Sequence, residues 1–306
     1  MIILMIGLGS VGKKHLLAIG KLVSDAKIYA LRSSLQADEY PGVKNIFSLN
    51  ELKEKPAFVI ISNPTSMHKT SLKDVLQLDC PVFIEKPVFH ELMNTDQLLD
   101  EIQNRKTLTY VACNLRFHPA IQFLKSFLDT TKPAINEVNI YCGSYLPEWR
   151  PGIDFRTSYS ARKDMGGGVH LDLIHELDYC TWLFGMPLNV DSNKTNLSSL
   201  NIEVPDNAQF RFGYSSFNAN INLNYYRRDA KREIEIVTDN DTIIADLLTN
   251  KVVSKPSGTV LYEKPFTMAD TYYDQMSYFI SHINQHLQPM NSIGEGVEVL
   301  KLALYE

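Results

Sequence analysis

Ile2-Ile-Leu-Met-Ile6-Gly7-Leu-Gly9-Ser10-Val11-Gly12 is the stretch that decides the fold. Five apolar residues in a row, with none of the alternation of a half-solvated strand, read as a strand buried on both faces. Glycines at the spacing G-x-G-x-x-G follow it, and a helical pattern runs from about Val11 to Leu22. A strand, a glycine turn and a helix in that order form a phosphate cradle: Gly7 permits the tight turn, Gly9 lets backbone approach a pyrophosphate, and Gly12 lets helix pack on sheet. The first helical residues, Ser10 and Val11, bring free N–H groups and the positive end of the helix dipole. The bland alternative is a glycine-rich turn that holds nothing; the strand-turn-helix context favours a dinucleotide.

Outward from this turn the first half alternates strand and helix. Lys27 to Leu31, Ala57 to Ile61, Pro81 to Ile84 and Leu108 to Ala112 are further buried strands. Helices are expected over about Ser66 to Leu78 and Glu91 to Gln103, and Ser48-x-x-Glu51 is a capping box. Strict alternation predicts a doubly wound parallel sheet, an α/β Rossmann domain over 1–115. Past Pro133 the pattern changes to consecutive strands. Glu137 to Cys142, Asn207 to Gly213, Asn218 to Tyr226, Glu233 to Thr238 and Thr242 to Leu247 are read as strands, with a hairpin turn at Asp239-Asn-Asp241. An α+β domain with a mostly antiparallel sheet is therefore expected over 116–306, serving substrate binding and oligomerisation (a homodimer or tetramer). Its last helix, near Tyr272 to Gln285, is expected to pack back on the first domain.

A net charge of -5 over 306 residues gives a nucleic-acid partner no electrostatic drive. Cys80, Cys113, Cys142 and Cys180 are widely spaced, which fits reduced thiols better than a disulfide framework or a zinc site. The apolar start is too short for a signal peptide or membrane span, so the expected location is the cytoplasm.

NAD-binding Rossmann domains carry an acidic residue about 20 positions past the glycines, on the ribose hydroxyls. Here the second strand ends in Arg32-Ser33-Ser34. A guanidinium and two hydroxyls suit a 2′-phosphate, so NADP(H) is the favoured cofactor and NAD(H) the alternative. Arg32 as an ordinary surface residue is the competing reading.

At this point the sequence resembles the Gfo/Idh/MocA family of NAD(P)-dependent oxidoreductases. The resemblance rests on Gly7-x-Gly9-x-x-Gly12 with His15, Asn63-Pro64-x-x-x-His68, Glu85-Lys86-Pro87, and Gly166-Gly-Gly168-x-x-x-Asp172-x-x-His175-x-x-Asp178. Asn114-x-Arg116-Phe117-x-Pro119 resembles the segment joining the two domains. It implies hydride transfer between nicotinamide and a secondary alcohol or ketone carbon of a sugar, sugar acid or nucleotide-linked sugar, with no metal. It also implies that Asn63, Pro64, His68, Glu85, Lys86 and Asn114 line the cofactor. A cofactor-recycling glycosidase or lyase of the same family, or a non-catalytic NAD(P)-binding protein, are the alternatives. One departure stands out: the family places three residues between Asp and His, whereas here Asp172-x-x-His175 has two, and Glu176 takes the offset-four position.

Lys86 sits one residue past a parallel strand's carboxyl end, where open α/β sheets bind ligands. It is expected to steady charge on a carbinol oxygen. An imidazole ordinarily titrates near neutrality, so a histidine at 175 suits exchange of the hydroxyl proton, with Asp172 orienting it or sharing the proton. Both would meet the nicotinamide in a pocket between the domains. Arg150, Arg156, Arg162 and Lys163 crowd the loop before this segment, and Arg156 and Arg162 are expected to bind an anionic substrate. Arg227, Arg228, Lys231 and Arg232 are read as a solvated turn.

Overall fold

The computed structural model of the protein describes residues 1–306. The chain divides into two compact units, Met1–Asn114 with Ala269–Glu298, and Leu115–Met268 with Val299–Glu306.

In the first unit β1 (Ile2–Ile6), β2 (Lys27–Leu31), β3 (Val43–Ile46), β4 (Phe58–Ile61), β5 (Val82–Glu85) and β6 (Thr109–Ala112) form one sheet, in the order β3-β2-β1-β4-β5-β6. Every pair is parallel. Helices α1 (Ser10–Leu22), α2 (His68–Leu76) and α3 (Thr95–Arg105) supply crossovers. Strands β4 and β5 are buried at every position, as expected for the centre of a parallel sheet. The strand order reverses beside β1, so the Gly7 turn lies at the topological switch point, where such sheets bind ligands. The edge strand β3 escaped the sequence pattern because Val43-Lys-Asn-Ile46 has no apolar run.

The second unit adds α4 (Pro119–Thr131), β7 (Ile135–Tyr145), α5 (Val169–Asp172), α6 (His175–Phe184) and seven further strands. These are β8 (Asn189–Thr195), β9 (Asn207–Gly213), β10 (Asn218–Asn224), β11 (Tyr226–Thr238), β12 (Thr242–Asp246), β13 (Lys251–Ser254) and β14 (Val260–Glu263). The sheet runs β14-β13-β12-β11-β7-β10-β9-β8 and is antiparallel except where β7 pairs β10. Ala219, Ile221 and Leu223 alternate inward along β10 and are fully buried. Helices α4, α5 and α6 pack against the sheet. The fold expected from the sequence, a Rossmann domain followed by a mostly antiparallel α+β domain, is the fold formed.

Two helices close the chain, α7 (Met268–Asn284) and α8 (Ile293–Leu304). Residues 269–298 belong to the first unit. The cause is aromatic: Phe279, fully buried on α7, meets Phe58 and Phe83 at ring-centroid distances of 5.2 and 5.3 Å. Truncating such a side chain costs ~3–5 kcal/mol, enough to hold the returning helix on the sheet.

The basic run 227–232 is not a solvated turn. It lies in β11, across an irregularity in its pairing with β7 between Tyr226 and Lys231. Arg227 stacks on Tyr141 and Arg228 on Tyr145, while Arg232 points inward. No helix is long and apolar enough to cross a membrane.

Candidate active site

In the first unit the glycine turn is shaped as its spacing predicts. Gly7 has φ +91°, and a Cβ there would come within 2.4 Å of the Asn63 nitrogen. A Cβ on Gly12 would meet the Gly7 carbonyl at 2.6 Å, so α1 can approach the turn only because both residues lack side chains. At Gly9, by contrast, a Cβ would point into open space. Gly9 caps α1 without a side-chain acceptor, so the first N–H groups of the helix, at Ser10 and Val11, are offered to an anion. Asn63 lies across the turn; its Nδ2 donates to Ser71 Oγ at 2.8 Å, and its Oδ1 is a buried acceptor with no donor in the protein. An open cradle, free helical amides and an orphan acceptor fit a dinucleotide.

Beside this cradle lies Glu85-Lys86-Pro87, at the carboxyl end of β5, with the Lys86–Pro87 bond cis. The Glu85 carboxylate is mostly spent within the protein. Its Oε1 is 2.6 Å from His15 Nε2, and its Oε2 accepts the Lys86 backbone N–H at 3.1 Å. Burial would raise its pKa, but the His15 hydrogen bond and charge, with Lys86 nearby, bring it below the usual carboxylate range. Glu85 thus bridges the His15 ring and the Lys86 backbone.

His68 is likewise occupied. Its Nε2 lies 2.9 Å from the Asn63 carbonyl, and its Nδ1 lies 3.1 and 3.2 Å from the carbonyls of Pro87 and Val88. Burial lowers its pKa, so a largely neutral ring braces the Asn63-Pro64 turn against the Lys86-Pro87 turn. Asn114 donates to Thr271 Oγ1 at 2.7 Å. Arg32, half-buried at the tip of β2, makes only long contacts to Asn45 Oδ1 (3.5 Å) and the Asp38 carbonyl (3.4 Å), and Ser33 and Ser34 are exposed beside it.

In the second unit, Gly166-Gly-Gly168 leads into α5. A Cβ on Gly167 would lie 2.2 Å from the Tyr159 carbonyl, so only glycine lets this loop fold under the 150–163 segment. Asp172 ends α5 and His175 begins α6, with Leu173 at φ -98°, ψ 30° between them. The helix therefore breaks between the two residues, which accommodates the short spacing. Asp172 is 5% exposed and accepts a hydrogen bond from the Tyr225 hydroxyl at 2.7 Å. Tyr159 bonds the same carboxylate. Burial first, then Asp172, pushes both phenols well above the ordinary tyrosine range, keeping them protonated donors.

The neighbouring acids are locked differently. Glu176 is fully buried and accepts from Arg232 Nε at 2.6 Å. Asp178 takes a two-pronged bond from Arg116, at 3.0 and 2.8 Å. Both buried carboxylates are thus held by guanidinium groups. His170 is also buried and its pKa falls to about 4, so it stays neutral at ordinary pH. Arg156 and Arg162 line a cavity of about 720 Å³ with Lys163, Asn201 and Glu203. Both are partly engaged, Arg156 with Asp154 at 3.7 Å and Arg162 with Asp164 at 2.7 Å. His15, Tyr159, Tyr225 and Arg232 were not foreseen as site residues; of these, only His15 lay inside a recognised motif.

Residues 1–113 match the profile described as "Oxidoreductase family, NAD-binding Rossmann fold", and residues 134–244 match the "GFO/IDH/MocA C-terminal domain". The chain belongs to the Gfo/Idh/MocA oxidoreductase family. Among curated relatives, the uncharacterised oxidoreductase YrbE of Bacillus subtilis is 26% identical over 189 residues, covering 59% of this chain and 52% of its own length. The myo-inositol 2-dehydrogenase of Thermotoga maritima is 24% identical over 190 residues, covering 59% of this chain and 54% of its own. The chain thus spans about half the length of the curated relatives it matches. The WlbA dehydrogenase from Bordetella pertussis, solved with NADH and UDP-GlcNAcA, superposes with a TM-score of 0.81 at 18% identity, over 100% of this chain and 94% of that one. At such identity the likeness speaks for the fold. In this Gfo/Idh/MocA chain, the glycine turn and Asn63 both lie within the residues that match the NAD-binding Rossmann fold.

Proposed function

We propose that this protein is a dehydrogenase that moves hydride between a nicotinamide dinucleotide and a secondary alcohol or ketone carbon of a sugar, sugar acid or nucleotide-linked sugar. The observation that carries the reading is Lys86, at the carboxyl end of β5 beside the glycine cradle, with its peptide N–H fixed by a buried carboxylate. When bound, the dinucleotide supplies the hydride acceptor or donor. Gly7, Gly9, Ser10, Val11, Gly12, Asn63 and Pro64 would hold it. In oxidation, His175 takes the hydroxyl proton while Lys86 hydrogen-bonds the oxygen as negative charge builds there; reduction reverses both roles. Asp172, held by Tyr225 and Tyr159, orients His175 or shares its proton.

The similarity to a myo-inositol 2-dehydrogenase and to an enzyme solved with UDP-GlcNAcA supports a carbohydrate. The Arg156–Arg162 cavity supports an anionic one, and Arg32 where an acid would otherwise stand supports NADP(H) over NAD(H). The test is nicotinamide absorbance with NAD⁺ and NADP⁺ across neutral cyclitols, hexoses, uronic acids and UDP-hexoses. Lys86→Ala and His175→Ala should each lower kcat by ~10²–10⁴-fold with cofactor affinity nearly unchanged. The double variant should lose less than the product. If Glu176→Gln abolishes turnover in a folded protein while His175→Ala keeps most of it, the assignment of roles is wrong.

A further inference from the structure

The imidazole of His15 lies three residues past Gly12, in the helix that starts at the glycine turn. It is fully buried. Its ring meets Phe83 edge-on at 4.9 Å and Tyr272 at 5.4 Å. Its Nε2 lies 2.6 Å from Glu85 Oε1 and its Nδ1 is buried without a partner, while Glu85 Oε2 holds the Lys86 N–H. A single carboxylate therefore joins the phosphate-cradle helix to the peptide that carries the amine.

We infer that His15 is a positioning residue for Lys86, acting through Glu85; this rests on Lys86 being the group that meets the substrate hydroxyl. Without His15 the buried carboxylate loses a charge-assisted bond. It must then protonate or swing away, and in either case its second oxygen no longer holds the Lys86 N–H in place. Packing alone does not account for the arrangement. A buried, hydrogen-bonded polar pair is often no more stable than apolar residues of the same volume, so stability gives little reason to place one here. The second oxygen turned onto the Lys86 amide gives a better one. Because α1 begins at the turn that would receive the phosphates, the same link makes the position of the amine follow the seating of the cradle.

Backbone amide exchange at Lys86 tests the link in the intact protein, with and without added NADH. His15→Ala should speed exchange of that amide by about tenfold, the equivalent of losing one hydrogen bond to a charged group. Protection of β1 and β4 should stay unchanged. His15→Gln, whose amide can donate from near the Nε2 position, should restore most of the protection, and it keeps the test open if the alanine variant folds poorly. Acetylation of Lys86 by acetic anhydride, read by mass spectrometry against Lys73 as internal reference, should quicken at Lys86 alone in His15→Ala. Unchanged exchange at the Lys86 amide in His15→Ala, or equal loosening throughout the sheet, overturns the inference. If instead Lys86→Ala retains full turnover of whichever panel sugar is oxidised, the functional reading of Lys86 falls, and the exchange result still decides the His15 link.

Discussion

Replacing Arg232 by Met should reveal how a charge is held beside the proposed acid/base. Arg232 Nε is 2.6 Å from Glu176 Oε1, and the glutamate is fully buried, so the variant leaves a carboxylate in a desolvated site without its counter-charge. Removing one partner of a buried pair costs ~3–5 kcal/mol, roughly two to three and a half orders of magnitude in the folding equilibrium. Methionine keeps much of the volume, so most of the loss is electrostatic. That origin fixes its pH dependence. In the variant, Glu176 would have a folded-state pKa above its unfolded value near 4.3. The folded variant then binds a proton that the unfolded chain has released, and its stability falls as pH rises. The gap between parent and variant should be widest near pH 7 and narrow progressively as pH drops toward 4. Glu176→Gln combined with Arg232→Met should recover a large part of the loss at pH 7. The assay is urea denaturation of parent, single and double variants at several pH values. A gap that stays constant with pH would mean that Arg232 contributes packing rather than charge compensation, and the reasoning that sets Glu176 aside as the acid/base would lose its basis.

Two histidines predict a loss of stability in acid. Burial, only partly offset at His118 by the Leu247 carbonyl, lowers the pKa of His118 and of His170 to about 4. Unfolded histidine titrates near 6.5, so the unfolded chain takes up protons that the folded one refuses. The stability is present above pH ~6.5 and is lost as pH falls toward 4, by up to about 3 kcal/mol for each residue. Urea midpoints between pH 7.5 and 4.5 should fall accordingly, and His118→Gln should flatten that slope. Arg32→Ala should weaken NADPH binding about tenfold to a hundredfold and NADH binding much less; calorimetry showing tighter NADH binding to the parent would reverse the cofactor preference. For an anionic sugar, KM should rise with ionic strength and on Arg156→Ala or Arg162→Ala, because exposed charge contacts are screened. Equal turnover of neutral and anionic sugars at every salt concentration would remove the anionic substrate.

The central strands and the glycine turn were legible because their signals are local. Five apolar residues make a buried strand, and the glycines that follow have one geometric use. What was not legible depended on distant partners. Nothing in residues 272–285 shows that Phe279 belongs against Phe58 and Phe83, so the helix could be foreseen but not the cluster it completes. Arg232 is more instructive. In β11 it shares parity with Ile234 and Ile236, which face the core, while Lys231, Glu233 and Glu235 share the other face. Extending the strand back past Glu233 would have turned Arg232 inward and called for a buried acid. Reading charge density alone made it a surface turn.

The Asp172-x-x-His175 spacing shows where sequence reasoning stops and side-chain partners take over. Offsets of three and four share a face only on a continuous helix, and here the helix breaks at Leu173, so neither offset decides which residue exchanges the proton. The partners do. Asp178 is held by Arg116 and Glu176 by Arg232, each in a bond to a guanidinium that cannot itself release a proton at any working pH. Asp172 is bonded instead by the phenols of Tyr225 and Tyr159, which fix its direction while bringing no charge of their own. Among three buried carboxylates within seven residues of chain, Asp172 is thus the one that two phenols orient, and in the proposed mechanism it positions the imidazole three residues further on.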